Sequence, residues 1–142
     1  MALAERVQKK IHLRVITPTE TKVDEAVDMV ILRAVSGDMG ILPEHEAYLC
    51  ALDDGALRIL EGESERRIAV FGGLAEIQGE AVTILTEEAQ NPGEIDLPQT
   101  EALRAELLQE IEAQIDDTAR RAQQAQLRRI TVKIDVASFS PH

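Results

Sequence analysis

At Asn91-Pro92-Gly93 the hydrophobic period of the chain changes, and the change demands a fold of two unlike parts. Upstream, apolar residues recur at every second position, the period of a strand with one buried face. Downstream they recur every three to four, the period of a helix. Ile11, Leu13 and Val15 alternate with His12 and Arg14, and Val27, Met29 and Ile31 alternate in the same way. Val30 and Leu32 are apolar as well, which reads as a strand buried on both faces. Short runs follow at 47–52, 56–60, 67–71 and 81–85. Turn-type residues separate them: Ser36-Gly37-Asp38, Asp53-Asp54-Gly55, Glu61-Gly62 and Gln78-Gly79-Glu80. That spacing is the one expected of an all-β sandwich or barrel. Gly72-Gly73 interrupts an apolar run and predicts a bulge or a close backbone approach.

No glycine occurs after Gly93. Asp96 and Gln99 have the spacing of a capping box, and Pro98 suits a first helical turn. Leu103, Leu107, Leu108, Ile111 and Ile115 then recur at helical spacing until Asp116-Asp117-Thr118 interrupts them. Asp117 or Thr118 is the expected cap of a second helix carrying Ala119, Ala122, Ala125, Leu127 and Ile130. The short connection predicts an antiparallel pair. The expected class is therefore α+β: an N-terminal antiparallel β-sandwich domain over 1–90, then a C-terminal antiparallel helical hairpin over 91–142.

Charge divides the hairpin. Residues 94–117 hold eight acids and only Arg104 as a base, whereas 118–134 hold Arg120, Arg121, Arg128, Arg129 and Lys133 with no acid. Oppositely charged helices attract when side by side. A basic helix is also suited to an acidic partner when the hairpin opens, and the two readings together describe a switch.

Composition removes several function classes. Fifteen Lys and Arg against twenty-six Asp and Glu give a net charge of −11 over 142 residues, which opposes binding to nucleic acid through a general basic surface. Tyr48, Phe71 and Phe139 are the whole aromatic complement, so the core is aliphatic and base-stacking platforms are missing. The longest stretch without strongly polar residues, Ile68 to Ala75, is eight residues, far below the roughly twenty needed to span a bilayer. Residues Met1 to Glu5 lack the pattern of a signal peptide, and the single cysteine, Cys50, allows no internal disulfide; both point to a reducing cytoplasm. Cys50 lies among apolar neighbours and reads as a core residue. Catalytic constellations are missing. His12, His45 and His142 are scattered, and adjacent Glu44, His45 and Glu46 would point to opposite faces of a strand. No phosphate-binding glycine loop or nucleophile elbow is present. The expectation is a non-catalytic protein without a metal or cofactor.

Ordered landmarks now carry a resemblance. Val15-Ile16-Thr17-Pro18, Gly40-Ile41-Leu42-Pro43-Glu44-His45, Ala51-Leu52 with Gly55-Ala56-Leu57-Arg58, Gly72-Gly73 with Glu76-Ile77, Val82-Thr83-Ile84-Leu85, Glu94-Ile95-Asp96 and Leu127-Arg128-Arg129 follow one another at family spacing. Over about Lys10 to Val136 the chain resembles the epsilon subunit of F-type ATP synthases, called delta in mitochondria. It departs from the family in a few places. Glu44 stands where the family usually has Gly, and Glu46-Ala47 where it has Ala-Pro. Leu97-Pro98-Gln99-Thr100 replaces a continuation with a basic residue that is tied to ATP binding in some bacterial members. Lys133-Ile134-Asp135-Val136 replaces a more basic ending.

The resemblance implies a subunit of the rotating central stalk that couples ion-driven turning of the c-ring to ATP synthesis. It implies that the sandwich binds the gamma subunit and sits on the c-ring, with Asp38 and His45 as polar contacts in the loop 36–45. It implies that the hairpin lies folded on the sandwich or extends along gamma to inhibit ATP hydrolysis, with Arg120, Arg121, Arg128 and Arg129 contacting the beta subunit of the alpha/beta assembly. Location would be peripheral, on the cytoplasmic side of the inner membrane. With Gln99 at the motif's basic position, weak or absent ATP binding is expected. Two other classes fit parts of the pattern: a coiled-coil-hairpin transcription factor acting on RNA polymerase through Asp116-Asp117, and a free-standing β-sandwich ligand-binding module. Arms of about twenty residues, roughly 30 Å, and an all-β N-terminal part weigh against the transcription factor.

Overall fold

The computed structural model describes residues 9–140; the expectation drawn from Met1 to Glu5, and His142, lie outside them. Ten strands precede two helices: β1 (Ile11–Ile16), β2 (Thr21–Val27), β3 (Met29–Ala34), β4 (Gly37–Ile41), β5 (Tyr48–Leu52), β6 (Gly55–Glu61), β7 (Ser64–Val70), β8 (Gly73–Gln78), β9 (Ala81–Leu85) and β10 (Ala89–Gln90), then α1 (Leu97–Ala113) and α2 (Asp117–Ser138). A 3₁₀ turn, Pro92–Glu94, lies at the change of period.

The strands run β10-β7-β6-β3-β5-β8-β9-β1-β2, with β4 paired to β3. One residue pair, Ala34 opposite Leu52, is the whole ladder between β3 and β5. That narrow join divides the strands into two layers, β10-β7-β6-β3-β4 and β5-β8-β9-β1-β2, packed face to face. The sandwich is antiparallel except for β1 and β9, which pair in parallel from His12 opposite Ala81 to Ile16 opposite Leu85. A parallel pair requires a long crossover, and nearly the whole domain lies between these two strands. The interior is aliphatic: Ile11, Leu13, Val15, Val30, Leu32, Ile41, Leu57, Ile59, Ile68, Ile77 and Ile84 are all buried.

Three differences from the sequence reading have physical causes. The apolar stretch 27–32 is two strands. Val27 ends β2 and Asp28 turns the chain, so Val30, Leu32 and Ala34 face the core while Met29 and Ile31 are half-buried. Asp28 is held at that corner by Lys10, 2.7 Å away. The sequence reading has no strand at β2, β4, β8 or β10; in β8 the alternation is confined to 74–78, after Gly72-Gly73. β2 is a polar strand at the end of the sheet path, with only Val23 and Val27 buried, and β4 contains two glycines. The second helix is capped by Asp116, not by Asp117 or Thr118: Asp116 accepts a hydrogen bond from the Ala119 amide at 2.8 Å.

Gly72-Gly73 is a close backbone approach, as the sequence predicts. Gly73 has φ 119°, and a Cβ there would lie 2.1 Å from the Leu85 carbonyl oxygen. The first helix is capped by Asp96, which accepts from the Gln99 amide at 3.1 Å. Leu107 is its deeply buried apolar residue, Leu103 and Leu108 are half exposed, and Ile115 has left the helix for the connection and is 92% exposed. The hairpin lies folded against the sandwich. Val136 of α2, fully buried, packs with Ala69 and Phe71, and Val132, Ala56 and Ile95 surround them.

Candidate functional site

The outward face of the β5-β8-β9 layer carries an apolar surface. Ala51, Leu74 and Leu85 stand opposite one another in neighbouring strands, since Ala51 pairs with Leu74 and Leu74 with Leu85. Strand alternation places Leu49 two residues from Ala51 on the same face. Leu49, Leu74 and Leu85 remain 63%, 45% and 49% exposed, and Val35, bonded through its amide to the Ala51 carbonyl, is also exposed. A shallow depression between Ile16, Pro18, Gly73, Leu74 and Leu85 continues the surface. A contiguous apolar patch on a sheet whose other face already fills the core is a mark of a protein–protein contact. Ala51 and Leu85 belong to the landmark runs of the sequence, but no run there marks these residues as one surface. The signal was present, because β8 and β9 carry Leu on the parity opposite to their core residues.

Asp38 and His45 occupy different settings. The stretch 36–45 is half strand: Asp38 belongs to β4, where the Arg33 guanidinium donates to its carboxylate at 2.6 Å across the β3–β4 ladder. His45 lies in the following loop with Nδ1 2.7 Å from the Glu46 carbonyl oxygen, so Nδ1–H is the donor. Between them Glu44 has φ 68°, the one positive φ outside glycine among the described residues. This is the position where the family pattern has Gly, and the left-handed backbone explains that preference. Glu44 also pairs with Lys9.

The four arginines of α2 do not share a surface. Arg120 folds back on the interhelical turn, donating to the Gln114 carbonyl and lying 3.4 Å from Asp117. Arg129 faces the sandwich, 3.4 Å from Asp54 and with its guanidinium 5.3 Å from the Phe71 ring centroid. Arg121 and Arg128, seven residues apart, lie on one exposed stripe. Among the described residues no carboxylate is within 4.0 Å of either. The expected attraction between the helices takes no contact form: no acid of α1 pairs with a base of α2 among the described residues. Glu106, Glu110, Arg129 and Lys133 instead line one groove of about 460 Å³, together with Leu103, Leu107 and Ile130.

In the first turn of α1, the Gln99 amide and the Thr100 hydroxyl both bond to Asp96, the latter at 2.7 Å. The Gln99 amide is occupied in the cap, and the Thr100 hydroxyl in a bond to the Asp96 backbone carbonyl. Among the described residues no cluster of three or more His, Cys, Asp or Glu is placed to hold a metal ion. No helix among them is long and apolar enough to cross a membrane.

The most connected ionic group lies on the sandwich surface beneath α2. Glu65 of β7 accepts from Arg58 at 3.0 and 2.8 Å and from Arg67 at 2.9 Å. The Arg58 hydrogen bonds, aided by Arg67 and opposed by partial burial, lower its carboxyl pKa to about 2. Arg67 also donates to Asp135 of α2 at 2.9 Å.

Comparison with known proteins gives consistent results. The family described as ATP synthase, Delta/Epsilon chain, beta-sandwich domain matches residues 10–92. The ATP synthase epsilon chain of Syntrophobacter fumaroxidans is 34% identical over 129 residues, covering 91% of this chain and 96% of its own. That of Halalkalibacterium halodurans is 36% identical over 129 residues, covering 89% and 96%. That of Alkalihalophilus pseudofirmus is 42% identical over 94 residues, covering 66% and 71%. Among solved structures, a chain of the Euglena gracilis mitochondrial ATP synthase OSCP/F1/c-ring assembly superposes with TM-score 0.79 at 24% identity, covering 92% of this chain and 82% of that one. A chain of the Tetrahymena thermophila mitochondrial ATP synthase central stalk/c-ring superposes with TM-score 0.57 at 14% identity, covering 89% and 97%. At these identities the superpositions establish the shared fold.

Proposed function

The chain belongs to the ATP synthase delta/epsilon family, and from that premise we propose that it is the epsilon-type rotor subunit of the central stalk, docked to gamma through its sandwich and regulating hydrolysis through its hairpin. By family it is a non-catalytic subunit, and the RNA polymerase reading falls with the family match. Peripheral attachment on the cytoplasmic side of the membrane follows from this role.

The observation that carries the docking part is the apolar row Ala51, Leu74 and Leu85 with Leu49 beside it. Burying those side chains against a partner releases water from them, which is the main favourable term in association. Replacing Leu74 and Leu85 by Glu puts two charges at the centre of that contact. The expected result is loss of gamma from pull-downs, by about thirtyfold or more in affinity, with the thermal transition of the free chain little changed. Full gamma binding by the double variant would contradict the assignment.

Asp38 and His45 are proposed as polar contacts to the c-ring. Cysteines at 38 and 45, in a chain lacking Cys50, are expected to crosslink to polar loops of the c subunits in the assembled complex. Equal labelling in free and assembled protein without a crosslink would contradict this. The division into a sandwich unit, 1–90, and a regulatory hairpin, 91–142, is part of the same proposal. Its support is the narrow contact between them, centred on Val136, Phe71 and Ala69.

A further inference from the structure

We infer that Arg67 is the clamp of a latch, gripped by Asp135 and Phe139 at the C-terminal end of α2, which holds the hairpin closed and keeps Arg129 and Lys133 from a partner. The inference rests on the regulatory role proposed for the hairpin and names the residues that set its position.

Arg67 is positioned from below. Glu65, itself fixed by Arg58, accepts from Arg67 Nε at 2.9 Å and orients the guanidinium plane. One edge of that plane then meets Asp135 at 2.9 Å, and one face meets the Phe139 ring with Cζ 4.0 Å from its centroid. Asp135 lies in the last turn of α2 and Phe139 is its C-cap residue, so the end of the helix brings both to Arg67. A planar guanidinium can bind a carboxylate in its plane and a ring on its face at the same time; a lysine cannot.

The latch lies at the right place to control the arm. Among the described residues no charged group of α1 pairs with the sandwich, so the hairpin is fastened by the C-terminal half of α2 and by Pro92–Glu94, where Lys22 holds Glu94. The two phenylalanines of the chain, 71 and 139, are both at this junction, and each lies against cations: Arg67 on Phe139, Arg129 and Lys133 on Phe71. Closing the latch therefore engages Arg129 and Lys133, cations that an acidic partner would need. Opening it releases them and exposes Val136.

The test reads Val136 directly. In the full-length chain with Cys50→Ser, a Val136→Cys thiol is reached by reagent only when α2 lifts. Asp135→Asn, on α2, and Phe139→Leu, at its C-cap, leave the sandwich network of Glu65, Arg58 and Arg67 in place. Together they are expected to speed labelling about tenfold at unchanged thermal midpoint, and each alone to give a smaller increase. In reconstituted ATP synthase the same double variant is expected to inhibit hydrolysis more strongly. Unchanged labelling overturns the latch. Faster labelling with unchanged hydrolysis upholds the latch and contradicts the regulatory role on which its meaning rests.

Discussion

Glu65 shows how one residue joins the two parts of the molecule. Its side chain is 18% exposed and sits between two arginines, one of which reaches α2. Because its folded pKa is lowered to about 2, its contribution is fully present above the ordinary glutamate value near 4.5 and is lost as pH falls towards 2. The shift sets an upper bound of about 3 kcal/mol on that contribution. Glu65→Gln is expected to lower stability by about 1–3 kcal/mol at pH 7 and by almost nothing near pH 2, measured by urea denaturation. An equal loss at both pH values would show that packing, not charge, is responsible. Nothing in the sequence marked Glu65, since Glu65-Arg66-Arg67 reads as a solvated charge run. Its partner Arg58 is one strand away, and register decides the meeting: Arg58 stands opposite Arg67. Glu44 was legible for the opposite reason. A departure from glycine in a family pattern signals a backbone position, and the positive φ is there.

At the scale of elements, periodicity located most strands and both helices, because burial on one face writes itself into sequence at period two or 3.6. It failed where burial is weak, at β2 and β4, and where a corner flips the parity, at Asp28. The charge division of the hairpin was legible, but its outcome was not. Arg120 and Arg129 spend their contacts on a turn carbonyl, an aspartate of the sandwich and an aromatic face, none of which periodicity reveals. That distribution sharpens the proposed inhibitory set. Replacing Arg120, Arg121, Arg128 and Arg129 together by Ala is expected to relieve inhibition of hydrolysis, but Arg129→Ala also loosens the dock. Arg121→Ala with Arg128→Ala is the cleaner pair. It should raise hydrolysis, and inhibition by the unaltered chain should weaken with salt as screening grows. A chain ending at Asn91 should release inhibition fully while keeping the thermal transition of the sandwich. Hydrolysis unchanged by the pair and by the truncation would make the hairpin a structural element only.

The whole molecule joins a well-filled β-sandwich to a lightly held arm. Among the described residues the sandwich buries nineteen apolar side chains in one aliphatic cluster, whereas the contact with α2 buries Ala69, Phe71 and Val136. An element held by so little area is the part of a fold that moves at low cost. The apolar outer face, in contrast, belongs to the rigid part, as a docking surface should. Coupling of rotation to synthesis, as a rotor subunit, is the role this build serves. Its most direct test is addition of the purified chain to membranes carrying an ATP synthase depleted of its epsilon subunit, followed by ion-driven ATP synthesis. The prediction is that the chain co-purifies with gamma and restores synthesis, and that the Leu74→Glu, Leu85→Glu variant does neither. Failure of the unaltered chain to bind gamma or to restore synthesis in its cognate complex would contradict the account.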